Sequence, residues 1–257
     1  MIIRAEQMEA VRTAARRSFE DEMVVHLAEF SPPLFKAVKE NGLREAIRLG
    51  MARAGGYGFT FRGPVRFYLE LMLLFGSHFD TDPQYPWAAA ILRDQEGGPQ
   101  MQRAERLWEM TRDYRDTVAG QQDAYTLTAL RRISDRARQP LTVPSADFAS
   151  FMREEMTRAY PQKATYVGEA GLTALIGRAT APARAHGFST PRGAALLVVL
   201  MFAFGHGCAD DPLYPWIART LTDPAITDGE DRAKRLERRA MTWLDHVLAY
   251  FDEGANA

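Results

Sequence analysis

The stretch that decides the fold is Leu71-Met72-Leu73-Leu74-Phe75-Gly76-Ser77-His78-Phe79-Asp80-Thr81-Asp82-Pro83-Gln84-Tyr85-Pro86-Trp87, because the chain spells it twice. Its second version reads Leu200-Met201-Phe202-Ala203-Phe204-Gly205-His206-Gly207-Cys208-Ala209-Asp210-Asp211-Pro212-Leu213-Tyr214-Pro215-Trp216, 129 residues on. The same offset aligns residues 42–94 with 171–223 without a gap, and 19 of those 53 positions are identical. Composition alone would give about four. Further out, Arg103, Ala104, Arg106, Leu107, Asp116 and Val118 fall on Arg232, Ala233, Arg235, Leu236, Asp245 and Val247, while Phe19, Met23 and Pro32 fall on Phe148, Met152 and Pro161. Chance likeness between two amphipathic helices would not keep loop residues such as Asp-Pro-x-Tyr-Pro-Trp. The offset reads as tandem duplication.

Within each unit the breakers bracket helix-length windows, and hairpin punctuation between alternating segments is missing. A first helix is expected over residues 5–30. Val11, Ala15, Phe19, Met23 and Leu27 recur along one face, and Pro32-Pro33 ends it. Its counterpart opens behind Pro144 with Ser145 as N-cap and stops before Pro161. Leu43, Ile47 and Met51 mark a second helix ending at Tyr57-Gly58, matched at His186-Gly187, where glycine supplies the left-handed residue that terminates a helix. The third helix opens at Gly63-Pro64, or Thr190-Pro191, and runs to Gly76 or Gly205. Residues 194–204 are apolar all round, which places this helix centrally. A short helix over about 86–93, or 215–221, follows the loop, and a longer one over about 101–118, or 231–251, closes the unit. An additional helix, roughly 123–138, joins the units before the breaker Gln139-Pro140. The expected fold is therefore all-α: a tandem duplication of a roughly five-helix unit. Residues 1–119 form one copy, and 120–257 form a connecting helix plus the second. The copies are expected to pack as one globular body with pseudo-twofold symmetry.

Bulk properties narrow the function. Hydrophobic residues make up 46 % of the chain and charged residues 25 %, which is enough apolar material for a real core. A net charge of −1 argues against a nucleic-acid or membrane-surface role driven by electrostatics. Arginine supplies nearly all the positive charge beside Lys36, Lys39, Lys163 and Lys234, which reads as genome composition. The single cysteine, Cys208, excludes an internal disulfide and a multi-thiolate metal site, and fits a reducing compartment. The N-terminus meets charge at Arg4 and Glu6 before any apolar run, unlike a signal peptide. The uncharged run 194–204 falls short of the about 18 residues of a membrane span. The cytoplasm is the expected location.

Two features carry candidate chemistry. The loops 77–83 and 206–212 each hold histidine and carboxylates, His78, Asp80 and Asp82 in one and His206, Asp210 and Asp211 in the other. Such groups suit a divalent cation or a general acid/base pair. The histidines do not align, however, and Asp before Pro is a common turn and helix-start pair whose side chain accepts a backbone N–H. Tyr85 and Trp87, with Tyr214 and Trp216, form either an aromatic binding surface or anchors locking the short helix to its neighbour. Cys208 beside His206 reads as a small buried thiol, since the first copy has Phe79 there. His26 and His246 lack a partner at ligand spacing. No phosphate loop, nucleophile elbow or His-Glu-x-x-His motif occurs.

With these residues in view, the chain resembles a group of bacterial helical proteins. Their motifs are Met-(hydrophobic)2-Arg-x-x-Gln-Met-Glu, then Leu-Arg-x-x-Ile-x-x-Gly-x-x-x-Ala-x-x-Tyr-Gly-Phe, then Leu-Met-x-x-x-Gly-x-x-Phe-Asp-x-Asp-Pro-x-x-Pro-Trp-Ala. They read here as residues 1–9, 43–59 and 71–88. The second copy departs, with His186 for Tyr, Ala209 for Asp and Ile217 for Ala. Genes of this group often sit beside type VI secretion effector loci, so the resemblance implies an accessory, adaptor or immunity protein and transfers no catalytic, cofactor or metal residue. The expectation is a non-enzymatic protein that binds another protein, such as a secreted effector or secretion component, with no cofactor, nucleic acid or membrane span. The alternative is a metal- or small-molecule-dependent enzyme using the His/Asp loops near the repeat interface.

Overall fold

The computed structural model describes residues 5–94, 96–139 and 142–254. Residues 1–4 of the N-terminal motif and Pro140 of the expected breaker lie outside the described residues. Among those described there is no strand, and the chain runs through helices α1 (Ala5–Phe30), α2 (Pro32–Gly56), α3 (Arg62–Phe75), α4 (Pro86–Arg93), α5 (Gln100–Tyr114), α6 (Ala124–Ala137), α7 (Phe148–Ala159), α8 (Pro161–Ala185), α9 (Pro191–Phe204), α10 (Pro215–Leu221) and α11 (Gly229–Gly254). The fold is all-helical.

Helix starts follow proline. It occupies the first turn of α2, α4, α8, α9 and α10, where its missing N–H has no intrahelical partner to lose. Pro32 thus does more than end α1: only Ser31 separates the two helices. Boundaries recur at one spacing. Pro32 and Pro161, Arg62 and Pro191, Pro86 and Pro215, and Gln100 and Gly229 each open helices 129 residues apart. Even the internal breaks match, since α2 kinks at Lys39 (φ 59°, ψ 178°) and α8 at Gly168 (φ 73°, ψ 166°).

Three local expectations are corrected. Ser145 is exposed and lies outside α7, whose N-cap position is Asp147 in a left-handed conformation. α3 opens at Arg62, a residue before Gly63, because the side-chain oxygen of Gln100 accepts the N–H groups of Thr60 (2.7 Å) and Phe61 (2.9 Å) and fixes the chain there. The closing helix of the first half is α-helical only to Tyr114, and a wider π turn carries it through Arg115–Ala119. That turn packs on α8, and the hydroxyl of Tyr160, the residue between α7 and α8, donates to the Val118 carbonyl at 2.9 Å.

A single apolar cluster runs from Phe19 in α1 to Leu236 in α11, so both halves share one core. Two arginines, buried Arg103 and half-buried Arg232, bind its loops. Arg103 donates to the carbonyls of Tyr57 (2.9 Å) and Leu92 (2.8 Å), tying α5 to the ends of α2 and α4. Arg232 does the same for the His186 carbonyl at 2.8 Å and for that of Ile226. At the centre α9 buries Leu197, Val198, Leu200, Met201, Phe202 and Phe204 against its neighbours. Among the described residues no helix is long and apolar enough to cross a membrane.

Candidate functional site

The two repeated loops meet. α3 is capped by Gly76 (φ 89°) and α9 by Gly205 (φ 91°), and the two helix ends come close enough across the junction to leave no room for a side chain. A Cβ on Gly205 would lie 2.8 Å from the Phe75 carbonyl oxygen, and one on Gly76 would run into the Phe204 carbonyl. Only glycine fits, for reasons of both φ and space.

Each loop's shared aspartate serves the other loop. Asp82 Oδ2 accepts the His206 N–H at 2.6 Å, while Asp211 Oδ2 accepts the Ser77 N–H at 2.7 Å. Their second oxygens close the local turns, accepting from the N–H groups of Gln84 (2.8 Å) and Leu213 (2.9 Å). The Ser77 hydroxyl adds a bond to Asp211 at 2.6 Å. Both carboxylates are 2 % exposed. Burial opposes ionisation of Asp82, but hydrogen bonds from His206 and Gln84 outweigh it and hold the carboxyl below its ordinary range. The Gln84 amide then donates to the Met201 carbonyl at 3.0 Å, extending the seam.

The unshared residues sit around this seam. The rings of His78 and His206 stand edge to face, with centroids 6.0 Å apart, although their positions do not align in sequence. A Cβ on Gly207 would collide with the His78 ring. Burial, then the nearby Arg53 charge, push the His78 pKa down. Asp80 is buried in an ion pair with Arg53, beneath Tyr68. Both partners are missing from the matching positions, which hold Pro182 and Ala209. Asp210, by contrast, is exposed. Cys208 is fully buried, and burial pushes its thiol pKa up, away from thiolate chemistry.

The four aromatics point inward. Tyr85 packs on Phe75 (4.7 Å between centroids) and Tyr114 (5.6 Å), and Trp87 meets Phe75 edge-on at 5.9 Å. Tyr214 and Trp216 hold Phe204 at 4.4 and 6.1 Å in the same way. The indole nitrogens of Trp87 and Trp216 are buried without a hydrogen-bond partner.

One group here escaped sequence reasoning. Lys163, in the first turn of α8, is buried, donates to the Phe202 carbonyl at 2.5 Å, and lies over the rings of Phe202 (4.8 Å) and Tyr85 (5.8 Å). Burial lowers its pKa to about 8, with Asp82 opposing weakly. Its rarity in an arginine-rich chain, and its alignment with Leu34, were the available signals.

Chemically, the seam has the parts of an acid–imidazole–hydroxyl relay: His206 Nδ1 is 3.2 Å from Asp82 Oδ2, and its Nε2 is 3.5 Å from Thr81 Oγ1. The last distance is at the limit for a hydrogen bond, and both Asp82 oxygens already accept backbone N–H groups. Among the described residues no group of three or more His, Cys, Asp or Glu side chains is placed to hold a metal ion. The arrangement joins two loops far better than it presents reactive groups. Comparison with known protein families, with curated proteins and with solved structures yields no match.

Proposed function

We propose that this chain is a non-enzymatic protein-binding accessory, adaptor or immunity protein that works in the cytoplasm of a bacterium in service of a toxin or secretion system. The observation that carries the reading is in α1. Its stripe Val11, Ala15, Phe19, Met23, Leu27 is longer than the body it packs on: Phe19, Met23 and Leu27 are buried, while every residue from Gln7 to Ser18 is exposed. Val11 is 64 % exposed and Met8, one turn before it, 41 %. A helical segment of this length is marginal in water without a packing partner. An apolar stripe that outruns its own core is what an amphipathic helix offers to another protein's groove. The secretion-system assignment rests on the sequence resemblance alone.

The test is purification from the native host with wild-type chain and with Val11→Asp. A stoichiometric protein partner that disappears with Val11→Asp, at unchanged melting temperature, is the expected result. A partner retained at full stoichiometry by Val11→Asp would sink the reading.

We infer in addition that the two halves are duplicated copies packed about a pseudo-twofold axis. The support is the reciprocity of the seam, where Asp82 serves His206 as Asp211 serves Ser77, together with helix starts 129 residues apart.

A further inference from the structure

A second feature of the second half has no role in that reading. Helices α6, α7, α9 and α11 line a pocket of about 170 Å³ that opens to solvent on one side. Leu200, Phe202 and Phe204 form buried walls, Leu196 and Val199 are half-buried, and Ala203 is exposed at the mouth. α6 lies along one side, contributing Leu130 and Ile133. The charged residues of the lining are already paired: Arg136 donates to Glu155 at 2.8 Å and Arg192 to Glu237 at 2.6 Å. Of the buried polar atoms left without a partner among the described residues, none belongs to this lining.

The first half treats the matching positions differently. Where the lining has Phe151, Glu155, Ala195 and Val199, the first half has Glu22, His26, Arg66 and Glu70. There His26 and Arg66 close on Glu70 at 2.7 and 3.0 Å. One half fills its face with a polar network, and the other keeps an apolar hollow.

We propose that this cavity is a binding site for a small, neutral, apolar molecule about the size of one aromatic ring with a short alkyl substituent. An apolar cavity of ~150 Å³ accepts benzene, so the volume suits that class. The walls give an aromatic guest edge-to-face partners in Phe204 and Trp243, themselves T-shaped at 4.6 Å. With Arg136 and Arg192 both neutralised, an anionic head group gains nothing at the rim.

The experiment uses toluene and octanoate as probes with the full chain, read by saturation-transfer NMR and thermal melting. Wild type should show transfer to toluene protons and a raised midpoint. Ala203→Leu and Ala240→Leu, each filling the hollow from a different helix, should bind toluene about tenfold more weakly without a lower midpoint. Two variants are used so that one folded protein suffices. Toluene that fails to bind, or that binds both filled variants as well as wild type, overturns the proposal. Octanoate binding more tightly than toluene overturns the assignment to a neutral ligand.

Discussion

Asp82 accepts the backbone N–H of His206 at 2.6 Å across a sequence gap of 124 residues, and that bond joins the two halves of the core. Hydrogen bonds to a buried charged acceptor are worth about 1.5–3 kcal/mol, and removing the acceptor also strands the donors. Asp82→Ala should therefore cost about 3 kcal/mol in urea unfolding, and Asp211→Ala a similar amount through Ser77 and Leu213. Because both act on one seam, the double variant should lose less than the sum. Additive losses would mean that the two bonds hold separate structures.

Half-buried Arg53 and buried Asp80 form an ion pair that the second half replaces with Pro182 and Ala209. Removing one partner of such a pair leaves an uncompensated charge, whereas removing both is often nearly neutral. Asp80→Ala alone should cost about 2 kcal/mol, less than for a fully buried pair because Arg53 reaches solvent. Arg53→Met with Asp80→Ala should recover most of it. Chemical denaturation of the three proteins measures this, and a double variant as unstable as the single would show that the pair does more than neutralise itself.

Much of this architecture was legible in the residues. Prolines at helix starts, glycines at helix ends and the 129-residue offset mark most boundaries, because these residues act through backbone geometry that needs no tertiary context. The loops were legible as turns, but the partners of their carboxylates were not. Asp82 looks like a local turn former, and it is one toward Gln84. Its bond to His206 depends on how two helix ends meet, which no local pattern encodes. The anchoring of the short helix by Tyr85 and Trp87 was one of the two readings their residues offered, but the rings they meet, Phe75 and Tyr114, were not legible for the same reason. Lys163 was missed because a lysine two residues after a proline reads as an exposed first-turn position.

Lys163 makes a pH prediction. Its pKa in the folded chain is about 8 against 10.5 ordinarily, so below pH 8 the folded state carries the full burden of a buried charge. Between pH 8 and 10.5 the unfolded chain binds more protons than the folded one, and this group's contribution to stability rises with pH. Lys163→Met removes that dependence. It also leaves the Phe202 carbonyl without its donor, so the absolute offset at neutral pH combines two effects. The difference in stability, variant minus wild type, should fall by about 3 kcal/mol from pH 7 to 10.5. A difference that stays flat across that window would show that the ammonium is not buried as a charge.

Lys39 supplies the last prediction. Its backbone sits at φ 59°, ψ 178°, a region populated almost solely by glycine, and the residue 129 positions on, in the matching kink of α8, is Gly168. A lysine there stores strain of about 1–3 kcal/mol, because its Cβ crowds the adjoining backbone. The side chain is exposed, so replacing it removes little packing. Lys39→Gly relieves the strain but loosens the unfolded chain, an opposing term of about 0.5–1 kcal/mol. The net expectation is a gain of about 1 kcal/mol, read as a higher urea midpoint at constant slope. Gly168→Ala should move the midpoint the other way by a similar amount. If Lys39→Gly lowers the midpoint instead, the kink in α2 does not require a left-handed residue, and the likeness to α8 at this point is only one of sequence position.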